Sequence, residues 1–261
     1  MVCTTYIRRN PWTGNIGHLH FIQQQGGVAP QNFKVPFRLP QLIFHTHKEK
    51  KMTVQTATSQ MTAEQIWEVQ PGERRSVGVI HIVITALLIG IGFVVGAFGS
   101  ITFPLGFGVN FFWTGIAVQQ VGSIWFGAWG VIAGTIFPFF SNAIAGTPFY
   151  VSAAYIPANL VQAFLPAWVF RRFKLDPRLN SARDYGILFL AMILSSAFGA
   201  LWSPLVVLKG FGLLTTDSVP LFIWGWFGGN VVAGIVFNFI LLKALSAVVI
   251  RTPAFVKRWW S

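Results

Sequence analysis

The chain has 261 residues, 54% of them hydrophobic and only 10% charged, with a formal net charge of +12. Soluble domains carry about 25% charged residues, so this composition excludes an ordinary soluble globular protein. The cations do not outline a nucleic-acid surface, because they flank long apolar runs: Arg74 and Arg75, then Arg171, Arg172, Lys174, Arg178 and Arg183, then Arg251, Lys257 and Arg258.

Met1 to Lys51 shows no sustained apolar period, scattered prolines and glycines, and a basic HTHKEKK near its end. No apolar run of signal-peptide length follows an early positive region. Residues 1–76 are therefore expected to form a disordered cytoplasmic segment, with Met52 and Met61 as alternative translation starts. Cys3 is the single cysteine, which leaves no internal disulfide and no thiolate metal site.

From Ser76 to Phe170 there is no Asp, Glu, Lys or Arg, and two more uncharged runs follow, Tyr185 to Leu208 and Ser218 to Leu242. A spanning helix needs about 20 apolar residues, so each later run fits one and the first holds several. None alternates in polarity as a transmembrane β-strand does. Helix one is expected at Val77 to Phe98, followed by an outer loop in the turn-rich GSITFPLGFG. Helix two runs from Asn110 to Phe126 and turns near FGAWG; helix three covers Ala128 to Ala145, with an outer turn at Gly146 to Pro148. Helix four, Phe149 to Phe170, ends in the basic loop. Helix five is Tyr185 to Leu208, Lys209 to Val219 is an outer loop, and helix six is Pro220 to Ala247.

Six spans place both termini and the most basic loop on the cytoplasmic side, as the positive-inside rule requires. The expected fold is all-α: six transmembrane helices in one bundle over residues 77–250, with a basic-aromatic cytoplasmic tail at 251–261. The expected location is the inner (cytoplasmic) membrane of the cell, as a multi-pass protein.

Several chemistries are excluded. The six spans contain no Asp or Glu: ion-driven secondary transporters usually need such carboxylates or broken helices that bind the ion, and intramembrane aspartyl or zinc proteases need an acid pair or an HExxH motif. No GxxxxGK[ST] loop is present, so the chain does not hydrolyse ATP by itself. No catalytic residue, metal or cofactor is expected, and no enzymatic role. His81 reads as an interfacial polar residue. Uphill movement of a solute would need energy from another protein.

Uncharged polar residues recur beside aromatics. Asn110, Trp113 and Thr114 open helix two, Asn142 lies late in helix three, and Tyr150, Tyr155, Asn159 and Gln162 run down helix four. Trp202 and Ser203 lie in helix five; Trp224, Trp226 and Asn230 begin helix six. Tyr155, Asn159 and Gln162 share a helical face through spacings of four and three. Amides also glue membrane helices together, at about 0.6 kcal/mol each, and Trp and Tyr mark interfaces. Taken as a set, Asn110, Trp113, Tyr155, Asn159, Gln162, Trp202, Trp226 and Asn230 are the candidate substrate-binding residues. Amides among aromatics suit a neutral or zwitterionic small molecule. In helix one, Ala86 with Gly90 and Gly92 with Gly96 have small-xxx-small spacing, which serves either contacts within the bundle or docking of a partner.

The stretch Trp125 to Arg172, WFGAWGVIAGTIFPFFSNAIAGTPFYVSAAYIPANLVQAFLPAWVFRR, resembles the middle of the substrate-binding S component of energy-coupling factor (ECF) vitamin transporters. The likeness extends over Val77 to Ala247. It implies capture of a vitamin or related micronutrient on the outer side, with a membrane T subunit and two ABC-type ATPases as partners. It further implies that Ala86, Gly90, Gly92 and Gly96 touch the T subunit, although glycine stands at three of these places where alanine is familiar in the family. FFWTGIAVQQ, Phe111 to Gln120, and WGWFGGN, Trp224 to Asn230, are also similar to membrane sensor domains of the MASE1 and vitamin-uptake-like type. A free-standing sensor that binds a small ligand and signals through a partner is the alternative expectation.

Overall fold

The computed structural model describes residues 61–261, apart from Arg74 and Phe103. Residues 1–60, with Cys3 and the alternative start at Met52, lie outside the described residues. The described chain is mostly helical. A short helix α1 (Ala63–Trp67) precedes the long α2 (Val79–Thr102) and a hairpin of β1 (Pro104–Gly106) and β2 (Val109–Asn110). Then come α3 (Gly115–Phe126), α4 (Ala128–Ile144), α5 (Phe149–Ala154) and α6 (Ile156–Arg172). The last elements are α7 (Ala182–Leu201), continued by π-helical turns over Trp202–Lys209, and α8 (Val219–Val249).

Four helical stretches are long and apolar enough to cross a membrane: Val79–Gly99, Phe149–Arg172, Ala182–Lys209 and Val219–Val249. The exterior agrees. Ile82, Leu87 and Val94 on α2, Leu190 and Leu194 on α7, and Ile240 on α8 are all exposed. The interior holds the polar side chains, with Gln119, Gln120, Gln162, Ser195 and Asn238 at 0% exposure. Water does not tolerate so broad an apolar exterior, whereas lipid does. The chain is a helical membrane protein.

Helix α3 differs from the expected second span. It starts at Gly115 rather than Asn110 because Asn110 pairs with Pro104 in the hairpin, and its side-chain Oδ1 accepts the Phe112 N–H at 3.2 Å. Such a local side-chain turn competes with a helical start. The remaining 12 residues extend about 18 Å, short of a hydrocarbon core of about 30 Å. Eleven of these 12 residues are buried, so α3 is wrapped by its neighbours. It turns into α4 at Gly127, whose φ of +58° favours glycine.

The expected fourth span is broken at Tyr155, between α5 and α6. Pro157 lies in the first turn of α6, where it has no N–H to continue the preceding helix. The Ala154 carbonyl at the break accepts a bond from Trp202 Nε1 at 2.9 Å. Pro138 acts similarly inside α4. It cannot donate to the Gly134 carbonyl one turn earlier, and Gln119 Nε2 does so instead at 2.8 Å.

The expectation of disorder up to Ser76 is corrected from Met61 onward. Thr62 and Gln65 form a capping box on α1, and Ile66 and Trp67 are buried. Trp67 Nε1 donates to the Leu175 carbonyl at 2.6 Å and its ring meets Phe255 at 5.4 Å. The C-terminal segment packs beside it, with Phe255 and Val256 at 0% exposure. Two buried apolar anchors, Ile66 and Trp67, give this polar stretch enough apolar area to order it.

Candidate functional site

Pro138 in α4 and the break at Tyr155 shape one cleft near the hairpin. It is lined by Gly108, Val109 and Asn110 of the hairpin region, Trp113 before α3, Pro138 and Asn142 of α4, Asn159 of α6, and Trp226 and Asn230 of α8. Four asparagines from four parts of the chain meet here. No charged side chain lines the cleft. Its free core is about 20 Å³, room for about one water molecule.

The sequence-derived candidates separate into two groups. Asn110, Trp113, Asn159, Trp226 and Asn230 line the cleft. Tyr155 stands behind it, buried, with its ring edge-on to Trp226 at 5.2 Å and its hydroxyl donating to the Phe107 carbonyl at 3.1 Å. Trp202 is stacked on Phe198 at 6.0 Å and bonded to α5, away from the lining. Gln162 is one turn deeper than Asn159 on α6. Both its amide atoms and Trp226 Nε1 are buried without a hydrogen-bond partner. The two side chains meet over Gly199, where a Cβ would lie 2.6 Å from Trp226 Nε1 and 2.8 Å from Gln162 Nε2.

The asparagines are differently committed. Asn110 donates to the Gly108 carbonyl at 3.3 Å and closes its own turn. Asn159 accepts from Gln119 Nε2 at 3.5 Å. Gln119 Oε1 has no partner. The cleft and its floor thus offer donors and acceptors in equal measure, walled by two indoles, and no net charge. Such a lining is chemically matched to neutral polar groups of both kinds rather than to a bare ion.

The residue reading missed Gln119, and it left Asn142 out of the candidate set. The Gln119 signal was Pro138, a helix-internal proline whose freed carbonyl needs a donor from a neighbour. Asn142 was visible as an amide at the end of an apolar helix. A second polar group is structural glue: Asn238 Nδ2 donates to Gln120 Oε1 at 2.6 Å, and Gln120 Nε2 to Ser195 Oγ at 3.2 Å. It ties α3, α7 and α8 together. Among the described residues no three His, Cys, Asp or Glu side chains are grouped to hold a metal.

The small-residue pairs of α2 face different ways. Gly92 and Gly96 lie against Phe137 and Ser141 of α4, where a Cβ on Gly92 would come 2.5 Å from the Phe137 ring. Ala86 and Gly90 are exposed, and nothing lies within 4 Å of a Cβ built on Gly90. His81 is buried in the first turn of α2; its Nδ1 accepts the Gly78 N–H at 3.1 Å and its ring lies 5.8 Å from Trp129. No family model, curated protein or solved structure matches the chain.

Proposed function

We propose that this protein is a membrane-embedded solute-binding subunit of the ECF S-component type, which captures a vitamin or related micronutrient and relies on partner ATPases for energy. In this reading the chain passes the inner (cytoplasmic) membrane six times: α2, α4, the α5–α6 pair, α7 and α8 make five passes, and the short α3, shielded from lipid by its neighbours, completes the sixth together with the non-helical residues that precede it. Both termini and the basic end are cytoplasmic, and the cleft faces outward. The observation that carries the reading is the convergence of Asn110, Asn142, Asn159 and Asn230 with Trp113 and Trp226 around one uncharged cleft. Gln162 and Trp226 add buried polar atoms without partners beside it, and a bound solute would supply those partners.

A vitamin-sized ligand needs a pocket of roughly 300–1,000 Å³, far above the free core of the cleft. Binding therefore requires the hairpin to move. It is held by Tyr155 on the Phe107 carbonyl, and by the approach of Asn110 to Gly229. The exposed Ala86–Gly90 face of α2 is the docking surface this reading assigns to a membrane T subunit.

The test is affinity purification of the full chain from its own membranes, with mass spectrometry of co-purifying proteins and small molecules. A T subunit, paired ATPases and a retained neutral or zwitterionic solute are expected. A kinase or cyclase without ATPases would overturn transport in favour of a free-standing sensor. Recovery of neither class of partner nor a solute would overturn the solute-binding reading itself.

A further inference from the structure

Asn159 and Arg171 stand 12 residues apart on α6, about 18 Å along the helix, so the basic end is well separated from the asparagine cleft. There a groove of about 620 Å³ opens between α1, the end of α6 and the C-terminal segment. Its walls include Trp67, Glu68, Arg171, Lys174, Arg258 and Trp259. Lys257 also lines it, but its ammonium is paired with Glu73 at 2.7 Å.

The remaining charge is unbalanced. Arg171 donates only to carbonyls, those of Ser123, Ile124, Ala167, Val256 and Arg258. Its guanidinium rests on the rings of Trp67 and Trp259, at 4.9 and 5.2 Å. Lys174 and Arg258 are exposed. Among the described residues none of the three forms an ion pair with a carboxylate. Two exposed cations, Lys174 and Arg258, thus face one recess beside the Arg171 charge, whose five N–H groups are all committed to carbonyls, and the wall carries a single acid, Glu68.

An apolar ridge leads away from this recess. Leu160, Phe164 and Trp168 are exposed at spacings of four on α6, on the face that Arg171 continues. They cover about 12 Å of helix. The ridge joins the groove directly, because Phe164 stacks on Trp259 with centroids 5.3 Å apart and planes 9° from parallel.

We propose that this groove binds one anionic phospholipid. Its phosphoryl group sits between Lys174 and Arg258, with the Arg171 charge adding to the field behind them, and an acyl chain lies along Leu160, Phe164 and Trp168. Lysine and arginine beside an apolar wall match a charged headgroup joined to a hydrocarbon chain. Inorganic phosphate would use the cations and leave the ridge without a role. A zwitterionic headgroup brings its own cation, which three positive charges repel.

The experiment places the full-length protein in bilayer nanodiscs of equal phosphatidylcholine and phosphatidylglycerol. Lipid retained after release is then read by native mass spectrometry. Preferential retention of one phosphatidylglycerol is expected. Lys174→Gln and Arg258→Gln should each weaken it about fivefold, and the double variant on the order of 25-fold. Both side chains are exposed, so thermal unfolding should not change. Lys209→Gln, at the other end of the molecule, should leave retention unchanged. Equal retention of both lipids, or retention unaffected by the double variant, overturns the proposal. So does equal loss with Lys209→Gln, or inorganic phosphate binding in detergent that competes the lipid away at equal concentration.

Discussion

Gln162 has no exposure, and neither of its amide atoms has a hydrogen-bond partner. An unpaired buried polar group costs about 1–3 kcal/mol, a penalty an apolar side chain of similar volume would not incur. Gln162→Met is therefore expected to raise thermal stability by about 1–3 kcal/mol in the ligand-free protein, read from unfolding in detergent. The same variant should lose much of the added stability that the co-purified solute confers on the parent. Asn159→Leu should abolish solute binding, measured by retention of that molecule, while the fold survives. Gln119 keeps its bond to the Gly134 carbonyl when Asn159 is lost. Unchanged solute affinity in Asn159→Leu would remove this residue from the site. At this scale the sequence showed the residue types and their shared face on α6. It could not show that Gln162 meets Trp226 over Gly199, because a contact between three helices depends on how they rotate against one another.

Helix α2 carries its two small-residue pairs on different faces, and they make opposite predictions. Gly92→Leu places a side chain where the Phe137 ring already lies, so it should destabilise the protein by about 1–3 kcal/mol. Gly90→Leu meets open space and should leave unfolding unchanged, while weakening assembly with the T subunit in co-purification. Assembly that survives Gly90→Leu would remove the exposed face from the docking surface. The hairpin follows the same steric logic. A Cβ on Gly229 would lie 2.5 Å from the Asn110 carbonyl oxygen, and backbone cannot give way as a flexible side chain can. Gly229→Val should push the hairpin off α8, seen as faster amide exchange over Leu105 to Asn110. Helix extents were largely legible from hydropathy, since α2, α4 and α8 fall close to the expected ranges. The hairpin was not, because Pro104 to Asn110 is short and glycine-rich and its pairing depends on the helices that flank it.

Across the whole molecule, the two ends of the described chain meet at the basic end of the bundle. Lys257 Nζ bonds the Glu68 carbonyl at 2.8 Å and Glu73 Oε2 at 2.7 Å, and Arg75 donates to the Phe255 carbonyl. Burial works against the Glu73 carboxylate, but bonds from Lys257, the Gln70 N–H and Arg75 outweigh it and hold its pKa at about 2, against an ordinary 4.5. A depressed carboxylate pKa contributes stability that is complete above the unfolded value and lost as pH falls through the folded one. The clasp that Glu68, Glu73 and Arg75 make with the C-terminal segment should therefore hold at neutral pH and weaken between about pH 4.5 and 2. Accelerated proteolysis near Glu73 over that interval would report it, and Glu73→Gln should flatten the dependence.

The sequence by itself determined that this is a helical membrane protein, roughly where its long apolar helices run, and that its cations gather at segment ends. Those properties follow from composition and from the cost of placing charge or unpaired backbone in hydrocarbon, which act on each segment separately. Only the tertiary structure decided that four asparagines share one cleft, that Gln119 completes a carbonyl freed by Pro138, and that Ile66 and Trp67 pack into the core. Each of these rests on contacts between segments far apart in the chain, and no local period records them.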